Sequence, residues 1–170
     1  MAKQLLGGLT EADRAGRQHV HVTFVQKAFL ADDGRLLLVR KSAADPYHPG
    51  LWEVPGGRMQ PAEGLDEHIV REVREESGID IEPGPPFHMW DWLMRGEGRS
   101  RVRAIAVGRI CRPLSRRLSR AHQVPGDHIS DVRWVALDEL AEYPLIPGMD
   151  QAVEHFVRLL RRGLTDSLSA

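Results

Sequence analysis

Cysteine is almost missing from this chain: Cys111 is the only one in 170 residues. A lone thiol has no internal partner, so no disulfide framework holds the fold. The residue fits a reducing compartment, as a small buried hydrophobe. Long apolar runs are missing too. No stretch approaches the roughly 20 apolar residues of a membrane span. The opening MAKQLLGGLTEADRAGR lacks the apolar run of a secretory signal. A soluble cytoplasmic protein with no membrane partner is the expectation. Charge of one sign is not in excess either, with 23 Lys and Arg against 24 Asp and Glu. Any acidic or basic site must therefore be local, and nucleic acid is not the expected partner.

What is present suits one well-buried core and is too short for two comfortable domains. Thr10 and Glu11 mark a weak helix start, giving a short leading helix over 10–17. HVHVTFVQKAFL (19–30) is rich in β-branched and aromatic residues and reads as a strand, followed by a turn at ADDG and a buried strand RLLLVR (35–40). SAADPYHPG is a Pro- and Gly-dense loop, LWEV a brief strand closed by PGG. Leu65, Ile69, Val70 and Val73 recur at helical spacing, with Gly64 and Gly78 as punctuation, so a helix is predicted over 65–77. FHMWDWLM (87–94) and RVRAIAVGRI (101–110) read as strands joined by RGEGRS, VRWVAL (132–137) as another, and 150–162 as a closing helix. The expected division is an N-terminal segment (1–18), one domain (19–162) and a loose tail (163–170). Strands mixed with two or three helices suggest an α/β fold, a layered sheet packed by helices.

REVREESG (71–78) breaks a local rule. It puts Glu72, Glu75 and Glu76 in the last two turns of the predicted helix, where the backbone already carries partial negative charge. They fall within an arc of roughly 100° on one face. Each like-charge pair at i,i+3 or i,i+4 costs on the order of 0.2–0.5 kcal/mol even when exposed. Arg71 and Arg74 offset part of this repulsion. A hard divalent cation such as Mg²⁺ satisfies clustered carboxylates beside a loop carbonyl, and completes its shell with water and substrate phosphates. The plain alternative is a solvated acidic helix face.

The wider stretch decides between them. Gly57-RMQPA-Glu63-GLDEHIV-Arg71-Glu72-Val73-Arg74-Glu75-Glu76-Ser77-Gly78-Ile79 matches G-x5-E-x7-R-E-U-x-E-E-x-G-U, with U aliphatic, at every fixed position. At residue frequencies of roughly 6–7%, chance gives such a match at ~10⁻¹⁰ per window. The chain resembles the Nudix hydrolase family. The resemblance implies an α/β/α sandwich with a mixed β-sheet, binding of Mg²⁺ or Mn²⁺, and cleavage of the diphosphate in a nucleoside diphosphate derivative. It further implies that Glu72 and Glu76 are the main metal ligands, with Glu75 assisting and the Gly56 carbonyl as another. Arg71 would orient the carboxylates, Glu63 would brace the loop against the helix, and Glu72 would take the proton from the attacking water. Some members recruit a base beyond the motif, and Glu97 or Asp127 are candidates; each is otherwise an ordinary turn residue. His68 stands where the family commonly has a small residue, and reads as a partly exposed histidine on the helix flank.

VRKSAADPYHPGLWEVPGG resembles the MutT-like branch, which acts on nucleoside triphosphates. A small-molecule nucleotide is therefore the expected substrate. By position, Arg40 can reach its base or phosphate and Trp52 can line the pocket or pack in the core. Trp90 and Trp92 share a strand face with His88 and Met94. That face is either a base-stacking platform or core and homodimer surface. Nine arginines from Arg95 to Arg120 either steer a polyphosphate or form a solvated surface. The Asn by which the bacterial MutT enzyme reads an oxidised purine has no counterpart in LIPGMDQ. The proline and tyrosine that mark the ADP-ribose and diadenosine polyphosphate branches are not evident. ADP-ribose, nucleotide-sugar or dinucleotide cleavage stays open, as does a non-catalytic nucleotide or nucleic-acid sensor. An isoprenoid diphosphate isomerase shares the fold, but that chemistry wants a cysteine near PGG.

Overall fold

A computed structural model describes residues 21–95, 101–124 and 126–163. Six strands and two helices follow in the order β1 (His21–Asp32), β2 (Arg35–Lys41), β3 (Trp52–Glu53), α1 (Leu65–Ser77), β4 (Ile81–Arg95), β5 (Arg101–Pro113), β6 (Ile129–Ala136) and α2 (Met149–Arg161), with a 3₁₀ turn at Leu140–Glu142. The predicted leading helix, Glu97 and the tail beyond 163 lie outside the described residues.

The mixed sheet runs β3-β2-β1-β5-β4, with β6 on the other edge of β2. β1 and β5 are parallel over ten register pairs, while β4 lies antiparallel to β5. β1 and β2 pair only at the hairpin, Ala31↔Leu36 and Asp32↔Arg35. Beyond it the strands part, and the motif loop takes the vacated edge of β1. Ala28 N–H donates to the Pro55 carbonyl at 2.8 Å, Gln26 N–H to Gly57 at 3.1 Å, and Met59 N–H to Phe24 at 3.0 Å. The loop is thus hydrogen-bonded along β1 as a strand would be, with an isolated bridge at Val25↔Arg58.

Side-chain alternation along β1 sorts the core into two layers. Ala28 and Leu30 face α1, where Ile69, Val73, Ile79, Ile81 and Leu37 close a cluster. Phe29 faces α2, packing on Phe156 with Leu36, Leu38, Val54 and Met149. Burying each such side chain contributes roughly 1.5–3 kcal/mol, which fixes one helix to each sheet face. This is the α/β/α sandwich expected. α1 begins and ends where the sequence places it, closing at Gly78 in the left-handed conformation (φ 74°). β4 starts six residues ahead of the predicted Phe87, because Ile81–Pro86 pairs with β5 through bulges that accommodate its prolines.

Cys111 lies in the α1-side cluster at 3% exposure, and burial pushes its thiol up to about 11. The expected outcome is no reaction with a thiol reagent at neutral pH in the native state and stoichiometric labelling in denaturant. Fast native labelling would contradict this packing.

Candidate active site

α1 carries Glu72, Glu75 and Glu76 beside the loop it follows, Glu63 stands in that loop, and their partners separate the four carboxyl groups into two groups. In the first, Arg71 is the hub. Its guanidinium donates to Glu75 at 2.8 Å, to Glu72 at 2.9 Å and through two nitrogens to Glu63. Glu63 also accepts from the Gln60 N–H, so it ties loop to helix. Arg71 holds the Glu63 carboxyl down at about 2, against an ordinary 4.5. A depressed carboxyl contributes stability above its unfolded value and loses it as pH falls from about 4.5 toward 2. Urea unfolding should therefore show wild-type stability falling through that window. Glu63→Gln should be less stable at pH 7 and flatter below pH 4.5; parallel profiles would contradict the pairing.

In the second group, Glu76 is 3% exposed and its Oε2 accepts from the Gly56 N–H at 2.8 Å. Burial pushes its carboxyl well above the ordinary range, and Lys27 and Lys41 only partly counter this. Glu72 goes the other way. Burial disfavours its charge, but His68 and Arg71 outweigh it and hold the carboxyl low. Two carboxyl groups one helical turn apart are thus pushed in opposite directions, an arrangement typical of sites that divide acid and base roles.

The loop glycines let these groups meet. Gly56 has φ 130°, and a Cβ there would collide with the Gln26 carbonyl. At Gly57 a Cβ would lie 2.7 Å from Glu72 Oε2, so backbone and carboxylate can touch only without a side chain.

Sequence reasoning missed several contributors. Glu53, 2% exposed, holds Lys41 at 2.9 Å and also accepts from Lys27. Lys27 Nζ reaches the Gly56 carbonyl at 2.5 Å. The signal was Gln26-Lys27, two polar residues interrupting an otherwise apolar strand. His68 corrects an expectation: it is fully buried, not on an exposed flank. β1 presents Gln26 beneath the first turn of α1, and Gln26 Nε2 lies 2.8 Å from both the Leu65 carbonyl and His68 Nδ1. That polar floor suits an imidazole, while Leu65 of the predicted apolar face is left 54% exposed. With Nδ1 accepting, the proton sits on Nε2, which lies 3.4 Å from Glu72 Oε1 and has no aligned hydrogen-bond partner.

Among the described residues, the other candidates make no hydrogen bond or ion pair with the α1 carboxylates. Arg40 donates to the Gly50 carbonyl and lies 5.9 Å over Trp52, whose ring also meets Arg133 at 5.5 Å and Tyr143 edge-on. Trp52 is 5% exposed in the α2-side core. Trp90 is half-buried and stacked on His88, which contacts His155 of α2. Asp127 caps its own turn through Val124 N–H, and its carbonyl is 3.5 Å from Lys41 Nζ. Much of the arginine-rich region is paired: Arg103 with Asp91, Arg112 with Glu82, Arg116 with Asp32, Arg109 with Asp66. This favours the solvated-surface reading of that segment.

Among the described residues no three acidic, His or Cys side chains converge closely enough to hold an ion as they stand. The donor chemistry nevertheless fits a hard divalent cation. Three carboxylates share one guanidinium at Arg71, leaving two negative charges uncompensated. Glu76, the buried acid beside them, is held above the ordinary carboxyl range even with Lys27 and Lys41 near, and a further cation would favour its charged form.

A family model described as the NUDIX domain matches residues 21–156. The chain is 30% identical over 135 residues to the CTP pyrophosphohydrolase of Escherichia coli (strain K12), covering 79% of this chain and 91% of that protein. It is 32% identical over 126 residues to an isopentenyl-diphosphate Delta-isomerase of Agromyces mediolanus, covering 72% and 57%. The fold superimposes on the crystal structure of a MutT NUDIX hydrolase from Burkholderia pseudomallei with a TM-score of 0.64 at 26% identity, covering 79% of this chain and 98% of that one.

Proposed function

The chain belongs to the Nudix hydrolase family, and from that premise we propose that residues 19–162 form a Mg²⁺- or Mn²⁺-dependent pyrophosphohydrolase of a nucleoside triphosphate. The observation that carries this reading is the excess of negative charge where Glu72 and Glu75 of α1 and Glu63 of the motif loop share the single guanidinium of Arg71, with Glu76 alongside. Glu72, Glu76 and Glu75, with the Gly56 carbonyl, would hold the metal. When bound, the metal neutralises phosphate charge and lowers the pKa of a coordinated water. Arg71, fixed by Glu63, keeps Glu72 and Glu75 in place. Glu72, the carboxylate held in its charged form, takes the proton of the attacking water. Glu53 and the two lysines hold the loop that presents Gly56. No helix among the described residues is long and apolar enough to cross a membrane.

The triphosphate assignment follows the similarity to the CTP pyrophosphohydrolase. The isomerase similarity favours a second reading, but Cys111 is buried on β5 against α1 rather than beside Pro55–Gly57. Incubation with Mg²⁺ and a panel of ribo- and deoxynucleoside triphosphates, ADP-ribose, dinucleoside polyphosphates and isopentenyl diphosphate distinguishes the readings. Pyrophosphate and nucleoside monophosphate from a triphosphate are expected. Turnover of only ADP-ribose or dinucleotides would move the substrate class. Binding without turnover would indicate a sensor.

A further inference from the structure

Lys27 stands outside the motif, in the middle of β1, at 5% exposure. Its strand neighbours on the same face are the apolar Val25 and Phe29. An ammonium there needs partners for its donors, since lysine has three and no acceptor. It finds two: the Glu53 carboxylate, and the Gly56 carbonyl at 2.5 Å. The same Gly56 residue donates its N–H to Glu76. One loop residue is therefore gripped from both ends, by a carboxyl oxygen at its nitrogen and an ammonium at its oxygen.

That oxygen is the one assigned to the divalent ion under the proposed function, and the inference rests on that reading. A second cation on the same oxygen meets the ammonium within a few ångströms, in a dry environment where like charges repel strongly. The negative charge of a polyphosphate relieves the repulsion. We propose that Lys27 is a resident cation of the site. It occupies the Gly56 carbonyl in the free protein and cedes it, keeping Glu53, to the divalent ion that enters with the substrate phosphates. Lys27 is a positioning residue. It keeps the loop ordered without metal and makes metal uptake depend on nucleotide.

The test is Mn²⁺ binding followed by electron paramagnetic resonance on the full chain, with thermal melts as a folding check. Lys27→Gln keeps a donor and removes the charge, and Lys27→Met removes both. Without nucleotide, each should bind Mn²⁺ about tenfold tighter than wild type. With a non-hydrolysable triphosphate analogue the difference should shrink. Equal or weaker binding by folded variants overturns the proposal. Should neither fold, the wild-type crystal with Mn²⁺ and the analogue decides. Lys27 Nζ moved out of hydrogen-bond distance of Gly56 supports the proposal, and a retained contact with Mn²⁺ on the same oxygen overturns it. Glu72→Gln and Glu76→Gln run alongside. Mn²⁺ binding indifferent to both sinks the metal-site reading itself, whereas binding that depends on them but not on Lys27 sinks only this inference.

Discussion

Glu72→Gln and Glu76→Gln are each expected to lower kcat by roughly 10²–10⁴-fold, the scale on which positioned bases and metal ligands act. Their effects on the fold should differ. Glu76 is buried, its carboxyl is pushed up, and the Gly56 N–H needs only an oxygen acceptor. Glutamine supplies that oxygen without charge, so Glu76→Gln should leave stability unchanged or slightly raised at neutral pH. Glu72 is held charged by His68 and Arg71. Its amide variant gives up a charge-assisted bond, a loss of about 1 kcal/mol, and leaves Arg71 with Glu63 and Glu75. Kinetics and urea unfolding on the same preparations separate the two effects. Wild-type turnover in both variants would mean the chemistry lies elsewhere.

Gly56→Ala should damage the fold more than any other single change in the loop. Its φ of 130° is one that L-residues rarely adopt, and the new Cβ would collide with the Gln26 carbonyl and approach the Lys27 Cα to 3.0 Å. Both are backbone atoms of a central strand, so the loop must move instead. It would then lose Ala28 N–H to Pro55, Gln26 N–H to Gly57 and the paired grip on Gly56. A destabilisation of about 3–5 kcal/mol is expected from the strain and several weakened hydrogen bonds. Gly57→Ala is the contrasting case. Its Cβ would meet the end of the Glu72 side chain, which can rotate away. Stability should change by only about 1 kcal/mol while activity falls with the displaced carboxylate. Equal unfolding midpoints for Gly56→Ala and wild type would contradict the described loop pairing.

Much of this was legible locally. The helix bounds at Leu65 and Ser77 follow from glycines on either side, and the motif carboxylates from their spacing. What was not legible depends on contacts far apart in sequence. His68 looks like a flank residue until Gln26, 42 positions earlier, is seen beneath it. Lys27 looks like a defect in a strand until β1 and β2 part and the Pro55–Gly57 loop fills the gap. Trp52 could line a pocket or the core on sequence grounds; two guanidiniums and Tyr143 surround its ring. The start of β4 was hidden because prolines mark breaks locally, whereas bulges let them stay in an edge strand.

The central claim is that the acidic end of α1 is a divalent-ion site. Anomalous diffraction from crystals soaked with Mn²⁺ and a non-hydrolysable nucleoside triphosphate tests it most directly. A peak about 2.0–2.3 Å from carboxylate oxygens of Glu72 and Glu76 and from the Gly56 carbonyl, bridging to phosphate, is the expected result. Nucleotide density with no metal at these oxygens, or a metal held by other side chains, would contradict it.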